Sequence, residues 1–461
     1  PNGCPTGNFY FVDQNNPNAS DENSGTEKLP WETIEKAAQT LQAGDIVVVK
    51  GGNYSVTGTD TRYLPALNPA NSGTQEAPII FKAYPGEEVT ISMSSGTGPL
   101  IGCYGEIKPR DYIIWDGFII IEGNCYHPDT GPVVFFHCNN CVIQNCEIRG
   151  SYVSTTSNHD GIRVAHSKNI TVRNCIIHGV RGDSHNSAGI KLYWEDSTIV
   201  EHNLIYNCTV GIYPKGGDGQ NNHFRYNIIH DCDYYGFRIS YHLNDKVYQN
   251  IIYNCRNDDF DDISEAAFSL TGGHLTNYEI FNNVIYDCNR GIAMLNRPYE
   301  EIDFFNNIFL KVKKPFEIVE NNVEVIDSDY NSFFNYTGFF ISWHNIGLLP
   351  SWQSATGFDL HSIESDPLFL NPTSHNFHLQ PTSPCLNAGI DRQDYDNDGN
   401  TTEPINMGAY ITGNEIIGPI DLSQYIVEES QPNSCTSQNG VCCNENQICQ
   451  NGTFISSSDC G

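Results

Sequence analysis

The segments "VIQNCEI", "VRNCIIH", "VEHNLIY", "FRYNIIH", "VYQNIIY", "IFNNVIY" and "FFNNIFL" are one pattern repeated. Aligned on their shared residue they give Asn145, Asn174, Asn203, Asn227, Asn250, Asn283 and Asn307, with Asn331 in "DYNSFF" as an eighth, at spacings of 23 to 33 residues. A second apolar segment precedes most of these asparagines: "GIRV", "GIKL", "GIYP", "GFRI", "AFSL", "GIAM" and "PFEI". Self-similarity at such a period constrains the fold more than any other property of the chain, because one repeat cannot bury its apolar side alone and must stack on the next. The side chains alternate with a period of two, which is the signature of strands and not of helices. Each repeat therefore carries at least two short strands. Parallel strands about 4.8 Å apart in successive coils build an all-β solenoid, a right-handed parallel β-helix. The recurring asparagines then stack, their amides hydrogen-bonding from coil to coil.

Both ends resemble a known group. The stretch from "YFVDQNN" to "AGDIVVVKGGNY" is similar to the entry segment of secreted β-helix proteins of the pectate-lyase-like superfamily, as are "SDPLF" at Ser365, "SPCLNAG" at Ser383 and "MGAY" at Met407. Trp31, Ile34, Ala37, Ala38 and Leu41 give the short entry helix one apolar side, with which it can cap the open end of the stack. The expected organisation is a cap and first coil over 1–55, the β-helix over 56–411, a linker over 412–434 and a cysteine-rich module over 435–461. In that module Cys435, Cys442, Cys443, Cys449 and Cys460 are clustered where too little core exists to hold the segment, so disulfides are expected to hold it, with a zinc site as the alternative. Cys208, Cys232, Cys255 and Cys288 each follow a ladder asparagine by five residues and should form a column of small core side chains, with paired bridges as the alternative.

With 55 acidic and 24 basic residues the chain has a formal charge of −31. That balance argues against nucleic acid as a partner, and no apolar run is long enough for a spanning helix. Seventeen cysteines, sequons at Asn18, Asn53, Asn169, Asn207, Asn335, Asn400 and Asn451, and Pro1 in place of an initiator methionine give the expectation of a processed, secreted glycoprotein.

Against that acidity one group of cations stands out. In the glycine-led strands, positions one and three (Ile162/Val164, Ile190/Leu192, Ile212/Pro214, Phe237/Ile239) should face the core. Positions two and four then face outward. They are Arg163/Ala165, Lys191/Tyr193, Tyr213/Lys215 and Arg238/Ser240, with His242 just beyond. An exposed wall of Arg163, Lys191, Lys215, Arg238, Tyr193, Tyr213 and His242 suits an acidic sugar chain, since arginine grips carboxylates and rings offer stacking surfaces. The stretch "YPKGGDGQNNHFRYNIIHDCDYYGFRISYH" resembles β-helix alginate and chondroitin lyases, in which a lysine removes the C5 proton of a uronic acid while arginine and calcium neutralise its carboxylate. The resemblance implies Lys215 as base and Arg238 as its partner, in a lyase or C5-epimerase. Tyr193 or Tyr213 would protonate the leaving oxygen. The family's acidic calcium ligands are missing from "TVGIY". "NHDGI" resembles the first carboxylate motif of polygalacturonases, but "NSAGI" in the next coil lacks the aspartate pair, so Asp160 is read as a turn cap.

"DYDNDGNTTE" places Asp394, Asp396 and Asp398 at alternate positions before Gly399, the spacing of the first half of a calcium loop. The acids of "NDDFDDISE" offer a second, weaker calcium candidate. The alternative to an enzyme is a structural or adhesive glycoprotein that assembles into a fibre or surface array through solenoid ends and an unpaired tail cysteine.

Overall fold

A computed structural model describes residues 7–123, 130–153, 158–256, 265–294 and 299–420. The cysteine-rich segment, Asn451 and residues 257–264 with most of the "NDDFDDISE" acids lie outside them. The described residues divide into two compact units, one running up to Ile148 together with Ile420 and the other spanning Arg149–Pro419.

In the N-terminal unit, Phe9–Val12 pairs in parallel with Ile46–Val49, which pairs with Ile79–Ala83, and that with Ile113–Asp116. Gly52–Thr57, Val89–Ser95 and Ile119–Ile121 form a second parallel row. The helix Ile34–Thr40 begins where the Thr33 hydroxyl accepts the Lys36 N–H. Trp31, Ile34, Ala37, Ala38 and Leu41 are all buried, so the apolar side read from the sequence is the packed side.

The second unit, Arg149–Pro419, is built of coils of three strands each. Asp160–Ala165, Ala188–Tyr193, Val210–Gln220, Tyr235–Leu243, Ala266–Gly272 and Arg290–Met294 pair in sequence along one row. Ile176–His178, Leu204–Tyr206, Ile228–His230, Ile251–Tyr253 and Val284–Tyr286 form another. The third strand was hidden inside the repeated segment. His202, Tyr226, Gln249, Asn282 and Asn306 all adopt left-handed backbone with φ between +52° and +58°, which folds each seven-residue repeat into two strands around a corner. His202 and Tyr226 are half-buried at this corner, whereas Gln249, Asn282 and Asn306 are buried and donate to backbone oxygens of Ala409, Asn406 and Ile390.

That next residue is the ladder asparagine. Asn203, Asn227, Asn250, Asn283, Asn307 and Asn331 are fully buried. From Asn203 to Asn307 each Nδ2 donates to the Oδ1 of the following asparagine at 2.9 to 3.2 Å, and that same Oδ1 also accepts the backbone N–H of the donating residue. The second amide hydrogen goes to a carbonyl of the preceding coil, as Asn227 Nδ2 does to Val200 O. Every polar atom of the column is satisfied. Asp359 closes it, accepting from Asn331 Nδ2, Ser328, Ser362 and the Trp352 indole.

The first two asparagines read into the ladder do not belong to it. The Cys175 backbone N–H is the one that reaches Asn203 Oδ1, so Cys175 occupies the ladder slot. Asn174 (φ +53°) sits at the left-handed corner one residue earlier, and Asn145 (φ +57°) has the same corner backbone and bonds Asp116. A one-residue slip in alignment exchanges a core position for a corner.

Cys208, Cys232, Cys255 and Cys288 are buried free thiols, which selects the core-column reading over paired bridges. The described part of the expected linker is docked: Ile417 packs against the apolar cluster around Ile251 and Tyr286, and the Gly418 N–H bonds Tyr226 O.

Candidate functional site

The row from Asp160–Ala165 to Ala266–Gly272 carries the predicted cations, in the predicted orientation. Arg163 is in register with Lys191, Lys191 with Tyr213, Arg238 with Ser269, and Lys215 with Ser240. Ile162, Val164, Ile190, Leu192, Ile212, Phe237 and Ile239 fill the interior, as alternation requires.

The four cations share a wall, but the wall is not open. Arg163 and Lys191 are 0 % exposed, and Tyr213 is nearly so, whereas Lys215, Tyr193 and Arg238 are half-buried. The reading of an exposed file of cations is corrected on this point, and the two buried cations are paired with Asp160. It lies inside the strand, fully buried, not on a turn. Its Oδ2 accepts Arg163 Nε at 2.5 Å and its Oδ1 lies 2.6 Å from Lys191 Nζ. Two buried cations thus share one buried carboxylate. Burial pushes Lys191 down to about 7; Asp160 opposes that shift, and Arg163 and Lys215 add to it.

Among the described residues the wall also meets neutral oxygens, from two loops and, for Arg238, the Thr271 hydroxyl. Asn158 O accepts from Arg163 at 2.9 Å, and Asn158 Oδ1 accepts from Lys215 at 2.7 Å and from the Tyr193 hydroxyl at 3.0 Å. Asn186 O accepts from Lys191, Asn186 Oδ1 from Lys215 at 3.0 Å, and His185 O from Arg238 at 2.6 Å. His185 is pinned by Tyr234, with ring centroids 4.0 Å apart. The Tyr213 ring is the hub: Lys215, Lys191 and Arg238 lie 5.3, 5.6 and 4.8 Å from its centroid. Burial raises the Tyr213 phenol, and Arg238 counters it.

His242 is not at the edge of this wall. The strand Val210–Gln220 bulges between Lys215 and Gly219, and past the irregularity His242 points inward. It is fully buried, 2.8 Å from Asp245 and 3.6 Å from Glu195. Burial lowers its proton affinity, but Glu195 and Asp245 more than restore it, so the net shift is upward. Glu195 is pushed up to about 7, chiefly by burial.

Sequence reading missed Asn158, Asn186 and His185 and set Asp160 aside. A signal was present: Asn158 and Asn186 both stand three residues before the glycine that opens the next strand.

Calcium at the wall, the cofactor implied by the resemblance, does not fit these residues. Thr209–Tyr213 supplies no carboxylate, and both oxygens of Asp160 are held by Arg163 and Lys191. Elsewhere, Asp394 and Asp396 come together with Asp391, while Asp398 turns aside and accepts the Asn400 N–H. Among the described sequons, Asn18, Asn53, Asn169, Asn207 and Asn335 are exposed and Asn400 is half-buried.

Parallel rows, an asparagine ladder and an outward wall define the class: a right-handed parallel β-helix with the pectate-lyase-like fold. Within that class, residues 10–210 match the family described as Pel9A-like, right handed beta helix region. The chain is 27 % identical over 309 residues to the uncharacterized protein YwoF of Bacillus subtilis, covering 62 % of this chain and 58 % of YwoF, so it spans less than two thirds of that relative. It is 33 % identical over 75 residues to pectate lyase PEL9 of Emericella nidulans, 16 % of this chain and 17 % of that one. The crystal structure of pectate lyase Pel9A superposes with a TM-score of 0.59 at 13 % identity, over 88 % of this chain and 97 % of that one. At that identity the likeness is one of fold.

Proposed function

We propose that the protein acts on an acidic, uronate-containing polysaccharide, as a lyase or C5-epimerase that begins by removing the C5 proton. One observation carries the reading. In a chain of charge −31, Arg163, Lys191, Lys215 and Arg238 converge on a wall whose one ion-paired carboxylate among the described residues is Asp160, and the described oxygens set on the two half-buried cations are neutral. Such a wall carries a net positive charge suited to a carboxylated sugar. Asn158 Oδ1, Asn186 Oδ1 and His185 O stand where substrate oxygens would bind.

In this reading the Arg238 guanidinium, displaced from His185 O, pairs with the C5 carboxylate and lowers the cost of carbanion character at C5. Lys215, in its neutral form, takes the C5 proton. The C5–H electron pair forms the C4=C5 double bond and the C4–O bond breaks, with Tyr193 giving its phenolic proton to the departing oxygen. Reprotonation of C5 from the opposite side gives the epimer instead. Lys191 and Arg163 are positioning residues, since both are buried and held by Asp160. The pectate lyase names among the relatives support a polysaccharide substrate, and the exposed sequons support an extracellular address.

The test is growth of the unsaturated-uronate absorbance on pectate, alginate and chondroitin, with C5 solvent-deuterium exchange to capture an epimerase. Activity that Lys215→Ala abolishes while the fold is retained supports the assignment. Neither signal on any of the three polymers overturns it.

A second reading, a non-catalytic glycan-binding or array-forming glycoprotein, is favoured by the same amide oxygens, which already satisfy the cations without a ligand. It requires polymer retention without turnover, unchanged in Lys215→Ala.

A further inference from the structure

The loop between Gly389 and Ile405 is closed by an antiparallel bridge, Gly389 N–H to Ile405 O at 2.9 Å. It is fastened to the coils from outside. Tyr395 stacks on Phe281 at 4.2 Å, the Arg392 guanidinium lies over Phe305 and pairs with Asp303, and Asn306 Oδ1 accepts the Ile390 N–H. Within the loop, one carboxylate oxygen each of Asp391, Asp394 and Asp396 lie within 4.8 Å of one another.

Three like charges this close repel unless something is placed between them. Exposed acids could simply be solvated, but Asp391 cannot be: it is 3 % exposed, and its Oδ2 is a buried atom with no hydrogen-bond partner among the described residues. A buried carboxylate oxygen left in that state is costly. The remaining geometry is that of a prepared set. Each carboxylate has its Oδ1 fixed by a backbone amide, Asp391 by Tyr395 N–H at 2.7 Å, Asp394 by Gly399 N–H at 3.0 Å and Asp396 by Asp398 N–H at 3.3 Å. That leaves Asp391 Oδ2 for something else. Left-handed backbone at Asp394 (φ +56°), Asn397 (φ +59°) and Gly399 (φ +83°) wraps the chain around the carboxylates.

We propose that Asp391, Asp394 and Asp396 form a calcium site that locks this loop onto the coils. The donors are all hard oxygens, which excludes the soft metals. Calcium binds oxygen at about 2.3–2.6 Å, so a shell about 5 Å across accommodates the three oxygens, with backbone carbonyls and water completing it in the irregular geometry calcium accepts. Magnesium demands a near-ideal octahedron that an irregular loop does not supply. The site revises the Asp394, Asp396 and Asp398 spacing read from sequence by exchanging Asp398 for the buried Asp391. It is independent of the catalytic reading.

The test is isothermal titration of CaCl2 into the full chain stripped with EDTA, at salt high enough to screen its net charge, beside proteolysis of the 390–404 loop. The expected result is one calcium equivalent fewer in Asp391→Asn/Asp394→Asn than in the parent, an unchanged number in Asp398→Asn, and loop cleavage slowed by calcium in the parent and in Asp398→Asn alone. The asparagines match aspartate in shape, and circular dichroism confirms that the variants fold. No calcium bound by the parent, equal numbers bound by parent and double variant, or the same protection from magnesium overturns the proposal.

Discussion

The asparagine ladder and the cation wall are written on the same coils, at the same spacing, and solve opposite problems. A neutral amide both donates and accepts, so identical residues stacked coil on coil satisfy one another completely, as Asn203 to Asn331 do. A cation only donates. Arg163, Lys191, Lys215 and Arg238 cannot serve one another and must recruit oxygens from elsewhere, among the described residues the buried Asp160 carboxylate, the Thr271 hydroxyl and the loop oxygens of Asn158, His185 and Asn186. A self-satisfied column needs nothing further. A column that depends on borrowed oxygens can exchange them for those of a ligand, and there lies the difference between scaffold and site.

The contrast is broken most sharply at Lys215. Lys215→Ala should cut turnover on the responsive polymer by about 10²- to 10⁴-fold, the usual contribution of a positioned base, with a melting temperature close to the parent's. A large fall in melting temperature would make Lys215 scaffold instead. Asp160→Asn should do the reverse and destabilise the fold by about 3–5 kcal/mol in urea unfolding, because it strands two buried cations. Asn250→Ala should cost about 3 kcal/mol by the same measurement. It removes donors to Phe224 O, Tyr248 O and Asn283 and leaves Asn227 Nδ2 without its ladder acceptor. Arg238→Lys, at a half-buried position, should change stability least. It should raise KM or lower kcat through loss of the two-pronged grip.

A smaller effect separates the regions by pH. Lys191 titrates at about 7 in the fold against 10.5 for an ordinary lysine. Between those values the unfolded chain binds more protons, so this residue makes stability rise with pH across that window. Glu195 has the opposite sign. Its folded value of about 7 lies above the ordinary 4.5, the native state holds the extra proton between them, and stability falls as pH rises through that interval. Urea midpoints of Lys191→Met should lack the alkaline rise and those of Glu195→Gln the acidic-side decline. Asn250→Ala, with no charge, should shift the curve without changing its shape.

The repeat period, the alternation of two and the apolar side of the entry helix are local patterns, and the sequence by itself determined the coil, the inward residues and the wall on which the cations stand. The corner residues were less legible, because left-handed backbone at His202 or Tyr226 has no glycine to announce it, and so Asn174 was placed in a slot that Cys175 fills. Burial of the wall was decided only in three dimensions. Whether an outward side chain meets water depends on loops crossing above it, and Asp160, Asn158, His185 and Asn186 reach the cations from positions that strand alternation does not describe. Periodicity specifies direction, since it follows from the covalent geometry of one strand; access and charge pairing depend on distances between atoms far apart in the chain, and those exist only once it has folded.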